Sequence, residues 1–154
     1  METNYWMFVE NKQNSEITRN LNYRMFGVGT KYKRRAQRMK RNDRVIFYTR
    51  TTKTWTATAT ITEECFEDKS PTWEPKDKIE EFKFRVSLRA NHVLKKENYI
   101  DASHIGPRLE YVKKWIPEDW HLAFWDTVHL LPQRDFKLLE KEIKRYPSIK
   151  IKKY

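Results

Sequence analysis

The chain reads as an α+β fold, a curved or barrel-like sheet flanked by helices, and three observations predict it. Three runs in the first two-thirds, YWMFV, VIFYT and TWTATATI, have the aromatic, β-branched or alternating character of strands, and FKFRVSL adds a fourth. Two other stretches, near residues 31–39 and 133–145, space their apolar residues as a helix does. With 154 residues and 38% apolar content, the chain is large enough to bury a core as one domain over its whole length. Mixed strands and peripheral helices then give the α+β class.

The elements follow in order. Tyr5 to Val9 is expected to be a first, central strand, ended by the polar break from Glu10 to Ser15. Gly27 and Gly29 are two of only three glycines, which implies a backbone with unusual dihedrals or a close approach. Thr30 is the expected N-cap of a helix whose buried face carries Tyr32, Ala36 and Met39. After a turn at Arg41 to Asp43, VIFYT and TWTATATI are expected to pair antiparallel, with Trp55, Ala57, Ala59 and Ile61 on one face. Glu63 to Glu80 is a polar loop carrying Pro71, Trp73 and Pro75. In the next strand Phe82, Phe84, Val86 and Leu88 face one way, and Lys83, Arg85 and Arg89 the other. Tyr99 to Tyr111 is expected to hold a short helix interrupted near Gly106-Pro107. Trp120 to Leu131 is a strand or packed loop, and Gln133 to Arg145 a helix buried along Phe136, Leu139 and Ile143.

Charge and cysteine content narrow the function. The net charge is +11, and eight of the 32 Lys and Arg residues fall between Lys31 and Arg44 against one acid, Asp43. A polyanion is the first partner to consider, with nucleic acid ahead of membrane. The one cysteine, Cys65, forms no internal disulfide, and no Cys/His cluster has zinc-ligand spacing. A reducing, cytoplasmic location, a monomer, and no metal or cofactor are therefore expected. The histidines His92, His104, His121 and His129 lie in no nucleophile motif, and the acids Glu63, Glu64, Glu67 and Asp68 read as a charged loop. No enzyme is predicted.

Aromatic residues supply the candidate site. Six tryptophans exceed what filling the core requires, and one base stacked on a ring is worth about 1–3 kcal/mol. Trp6, Trp55, Trp115 and Trp125 are assigned to the core. Trp73, in its proline-bracketed loop, is the expected semi-exposed stacking residue, and Phe26, before Gly27 and Val28, is the second. Phosphate contacts are expected from Lys31, Lys33, Arg34, Arg35 and Arg38 on the helix, and from Lys83 and Arg89 on the strand.

The order of YWMFVEN, MFGVGTKYKRRAQRMKRNDRVIFY, TATATI, SPTWEP, EEFKFRVSL and a Trp-rich segment before RDFKLLEKEI resembles the EVE domain family over nearly the whole chain. That family lies in the PUA-like group with ASCH and YTH domains. The resemblance implies a PUA-like mixed β-barrel, or pseudobarrel, flanked by α-helices, that reads modified bases in DNA or RNA. Trp73 matches the cage wall that similar YTH pockets carry before this strand. Glu10, Asn11, Phe26, Gly27, Val28, Tyr48, Thr49, Trp73 and Arg85 are the pocket set so implied, with Asn11, Thr49 and backbone groups reading base edges. Met25 or Phe26 stands where many relatives carry Trp. Two other readings remain open: an RNA-binding accessory module for tRNA, rRNA or a modification complex, and a nucleotide or RNA hydrolase.

Overall fold

The computed structural model describes residues 2–115 and 117–151. Eight strands form a strongly curled mixed sheet: β1 (Tyr5–Glu10), β2 (Met25–Val28), β3 (Arg44–Thr49), β4 (Thr54–Ile61), β5 (Phe66–Glu67), β6 (Phe84–Val93), β7 (Ile100–Asp101) and β8 (Val128–Leu131). The main path runs β2-β6-β4-β3-β1-β8, with β5 paired to β6 and β7 to β4. Helices α1 (Lys12–Asn20), α2 (Lys33–Arg38), α3 (Ala102–Ile105) and α4 (Gln133–Ile143) lie around it. This is the α+β, PUA-like half-barrel that the strand pattern and the family resemblance predict. None of the described helices is long and apolar enough to cross a membrane.

The ten-residue β6 produces the curl. Its first half pairs with β2, through Met25↔Ser87 to Val28↔Phe84, and its second half pairs with β4, through Ala57↔Val93 to Ile61↔Leu88. One strand shared between two neighbours turns the sheet, and the register shift at Thr58/Ala59 adds local twist. Central strands are buried on both faces. Trp6 and Phe8 of β1 join Val45 and Phe47 of β3 in the barrel interior, while Met7, Val9, Ile46 and Tyr48 pack outward against α3, α4 and the turns between them. Burial on both sides explains why these segments are continuous apolar runs, and it suits the parallel pairing of β1 with β3.

Several sequence expectations are corrected. β1 is an interior strand, as expected, but it is paired with the edge strand β8 on one side, and β4 and β3 lie nearer the middle of the sheet. The polar stretch after β1 is the helix α1, capped by the Asn11 side chain, whose Oδ1 accepts from the Asn14 N–H at 2.8 Å. Thr30 lies inside a 3-10 turn (Thr30–Tyr32) that follows an extended Gly29, and α2 proper has six residues. Ala36 and Met39 are buried as expected, with half-buried Tyr32 packed against them. Trp55 does not share a face with Ala57, Ala59 and Ile61. It pairs with Tyr48 while Ala57 pairs with Phe47, so Thr56 is bulged out and Trp55 turns into the outer core. Trp115 and Trp125, assigned to the core, are 44% and 65% exposed. Phe82 ends a 3-10 turn before β6, and it is only half-buried.

Tight polar anchors hold the frame. The carboxylate of Asp43, 0% exposed, accepts from the Asn4 N–H, the Trp6 indole Nε1–H and the Lys40 N–H at 3.0–3.1 Å. One carboxylate thereby fixes the start of β1 to the turn before β3.

Candidate functional site

The candidate site is a cleft of about 280 Å³ at the carboxyl end of the parallel β1/β3 pair. Its walls come from β1 and its exit (Val9, Glu10, Asn11), α1 (Asn14), β2 (Phe26, Gly27), the residue after β3 (Arg50), and the loop before β6 (Trp73, Glu74, Pro75, Glu81, Phe82). Thr127 closes one side. Parallel strands leave their carboxyl ends open where the chain departs, which is where a ligand finds room.

Trp73 is the pivot, and it is not semi-exposed: only 2% of it reaches solvent. Its indole Nε1–H donates to Thr18 Oγ1 at 3.0 Å, and the Thr18 hydroxyl donates in turn to Glu10 Oε2. This buried relay ties a loop ring, a helix hydroxyl and a strand-end carboxyl into one unit. Phe82 packs against Trp73 at a 5.7 Å centroid distance, and Phe26 meets it edge-on at 6.5 Å. Phe26 itself stacks face to face on Phe8 at 4.2 Å, which makes it a core anchor whose edge reaches the cleft. Phe82 is the more accessible ring of this wall.

Gly27 is required by close approach. No glycine in the described residues has positive φ, so the expected unusual dihedral is absent. A Cβ on Gly27 would lie 2.6 Å from both the Phe82 carbonyl oxygen and the Trp73 ring. Any larger residue displaces the aromatic wall.

Glu10 gives the cleft its chemistry. Burial pushes its carboxyl up to about 8, outweighing the hydrogen bond from Thr18, which acts the other way. At neutral pH the group is therefore mostly a neutral acid, able to donate as well as accept. Asn11 contributes differently. Its Oδ1 is spent on the cap of α1, leaving its amide NH₂ at the exposed rim. Asn14 is structural: its Nδ2 donates to the Glu74 carbonyl at 2.9 Å and its Oδ1 accepts the Glu74 N–H at 2.7 Å, which fastens the Trp73 loop to α1.

The other sequence-nominated residues fall elsewhere. Tyr48 is buried in the outer core between Trp55 and Phe124, with no hydrogen bond to its hydroxyl, and does not line the cleft. Thr49 donates to Ser15 Oγ at 3.0 Å beneath α1, where no base edge can reach it. Val28 belongs to the barrel interior and borders a neighbouring depression with Lys31 and Tyr32. Arg85, 1% exposed, stands behind the wall: its guanidinium lies 5.1 Å from the Trp73 ring centroid and donates to the Phe82, Thr72 and Ser70 oxygens. It braces the loop. The unforeseen residues Asn14, Phe82 and Arg50 had one legible signal among them, the S/T/D/N-type cap at Asn11 that announces α1.

The basic residues divide into four groups. Lys33 and Lys83 converge on the Phe84 ring at 5.4 and 5.2 Å, and Lys83 is paired with Glu80 at 2.7 Å. Lys31 and Arg35 approach Asp126 at 3.8 and 3.9 Å, while Arg34 and Arg38 are exposed and make no ion pair among the described residues. Arg89 lies in a separate depression with Arg44, Asn91 and Glu140, away from the cleft. Among the described residues no group of His, Cys, Asp and Glu has the arrangement of a metal site.

A curled, helix-flanked half-barrel with an aromatic-walled cleft at its open end defines a PUA-like binding fold. The chain belongs to the EVE domain family, whose profile matches residues 4–115. It is similar in fold to the YTH domain-containing protein mmi1 solved as an RNA complex, with a TM-score of 0.65, 10% identity, and 92% of this chain and 82% of that one covered. It is likewise similar to the Pho92 YTH domain in complex with m6A, at TM-score 0.64, 10% identity, and 92% and 84% coverage. Rpa0253 from Rhodopseudomonas palustris matches at TM-score 0.54 and 18% identity, covering 93% and 94%. No curated protein matches the sequence.

Proposed function

We propose that this protein is a non-enzymatic nucleic-acid-binding domain that captures one modified base in the cleft. The observation that carries this reading is the Trp73–Thr18–Glu10 relay, which holds an aromatic wall and a buried carboxyl together beside a space of about 280 Å³. That volume is near the lower end for small-ligand sites, about 300 Å³, and suits one flat heterocycle. The base lies against Phe82, the accessible ring of the wall, with buried Trp73 behind it fixing the wall in place. Its edge meets the Glu10 carboxyl and the Asn11 amide, so binding is driven by stacking and oriented by hydrogen bonds. Exposed Arg34 and Arg38, with Lys31 and Lys33, hold phosphates without reading sequence. Membership of the EVE family supports the reading, as does likeness to YTH folds solved with RNA and with m6A.

Binding in place of catalysis is supported by two of the four histidines. His129 is buried with one ring nitrogen 2.7 Å from the Tyr111 hydroxyl and the other 2.7 Å from the Asp126 carbonyl, and His92 meets the Tyr146 carbonyl at 2.8 Å. Both are occupied by structural partners.

The test is salt-controlled binding to matched DNA and RNA strands carrying plain, methylated and hydroxymethylated cytosine, and plain and methylated adenine. One modified strand is expected to bind at least roughly tenfold tighter than its plain counterpart, the worth of about 1.4 kcal/mol of differential contact. Trp73→Phe, which keeps a ring but removes the bond to Thr18, is expected to shrink that ratio. Equal affinity across the panel refutes base capture, and a preference for unmodified structured RNA favours the accessory-module reading.

A further inference from the structure

A second depression, of about 810 Å³, opens beside the base cleft, and its walls are unusual for this protein. Trp125 and Trp115, 65% and 44% exposed, both line it, whereas Trp6, Trp55 and Trp73 are buried. Arg35, Arg38 and Lys114 border the same space. Arg38 and Lys114 are exposed and form no ion pair among the described residues, so their charge is available to a partner.

The depression adjoins the cleft, although the two share no lining residue. Trp125 and Asp126 line the one, and Thr127 lines the other. Arg50, a cleft residue, places its guanidinium 5.3 Å from the Trp125 ring centroid. This junction is fixed, because the Thr127 carbonyl accepts the Val9 N–H at 2.8 Å and the Tyr32 hydroxyl accepts the Thr127 N–H at 3.3 Å. Exposed indoles beside the unpaired cations Arg38 and Lys114, next to a base-sized cleft, form a stacking platform with phosphate contacts at its edge. The acids Glu110 and Asp126 on its walls are held in ion pairs with Lys113, Arg134, Lys31 and Arg35. Bases inside a duplex keep their faces against each other. Only an unpaired strand can offer them to Trp125 and Trp115.

We propose that nucleotides flanking the captured base stack on Trp125 and Trp115, with Arg38 and Lys114 on their phosphates, so that the ligand is a single strand. The proposal rests on the reading of the neighbouring cleft as a base site. Trp125 lies beyond the family-matched residues 4–115, whereas Trp115, Arg38 and Lys114 lie within them, so the subsite joins the C-terminal segment to the matched region.

The experiment compares the parent with Trp125→Ala on three probes carrying the same modified base: the free nucleoside monophosphate, a longer single strand, and the same strand in a duplex. The parent is expected to bind the longer strand more tightly than the monophosphate or the duplex. Trp125→Ala is expected to lose roughly tenfold on the longer strand, one stacked base, while its affinity for the monophosphate is unchanged. Lys114→Ala gives a second reading by lowering the salt dependence on the longer strand alone. Parent-like binding of every probe by Trp125→Ala overturns the inference and assigns the exposed indoles to a protein partner. Equal binding of duplex and single strand also overturns it. Sensitivity of plain and modified single strands alike to Trp125→Ala, with no preference for the modification, upholds the groove and sinks base capture alone.

Discussion

At the scale of single residues, Glu10 and Gly27 set the chemistry and shape of the cleft wall. Burial moves the Glu10 carboxyl from its ordinary 4.5 to about 8, so its neutral form persists through physiological pH. Stability tied to the neutral form is complete below about 4.5 and is lost progressively as pH rises to about 8, because in that window the folded state holds a proton that the unfolded state has released. Binding follows the same group. If a neutral carboxyl donates to the base, affinity for the modified strand is expected to fall as pH rises through about 8. In Glu10→Gln, which still donates but does not titrate, that fall is expected to disappear in a binding titration across the range. Gly27→Ala adds a methyl 2.6 Å from the Phe82 carbonyl and the Trp73 ring. It is expected to cost about 1–3 kcal/mol in denaturant unfolding and to abolish the preference for the modified base. At this scale residue type pointed to Trp73 and Phe26, and the family resemblance added Glu10 and Asn11. Trp73 in its Pro-bracketed loop and Glu10 and Asn11 after β1 all line the cleft, whereas Tyr48, Thr49 and Arg85 do not. Their departure has a physical cause: parity along a strand predicts a face, but it does not say which face of a doubly covered sheet is open.

At the scale of elements, α1 is the part the sequence hides. Its nine residues include one large apolar side chain, Ile17, so no amphipathic stripe announces it, and its stability comes from the Asn11 cap and from packing. Yet α1 supplies Asn14 and Thr18, the two contacts that hold the Trp73 loop in place. Asn14→Ala leaves the Glu74 N–H and carbonyl without their partners, at a cost of about 1–3 kcal/mol. Faster hydrogen exchange of the Glu74 amide is expected, with weaker modified-strand binding and little change in the exchange of β3 and β4. β1, β3, β4 and β6 were readable because alternation and apolar runs survive in sequence, whereas β2, β5 and β7, of two to four residues, are too short to show either. α4 was readable because Phe136, Leu139 and Ile143 repeat at helical spacing. The bulge at Thr56 was not. It depends on pairing between β3 and β4 and reverses the side of Trp55 without leaving a mark in the alternation.

For the whole molecule, the proposed function divides the work: the net charge of +11 would supply attraction and the cleft choice. The basic helix borders the cleft without lining it, so its charges act on any strand. Arg34→Ala with Arg38→Ala is expected to weaken plain and modified strands equally. It should lower the slope of log affinity against log salt by about 1.4, that is, two single-strand phosphate contacts. The ratio between modified and plain strands should stay at the parent value.

The central claim, that one modified base enters the cleft against Trp73, is tested most directly by following the Trp73 indole N–H in NMR spectra during titration with matched strands. Binding of the preferred modified strand is predicted to shift this resonance together with the Gly27 amide, while the plain strand at equal occupancy moves only amides of the basic helix. Identical perturbations from both strands, confined to the basic helix with the Trp73 indole unmoved, would contradict it.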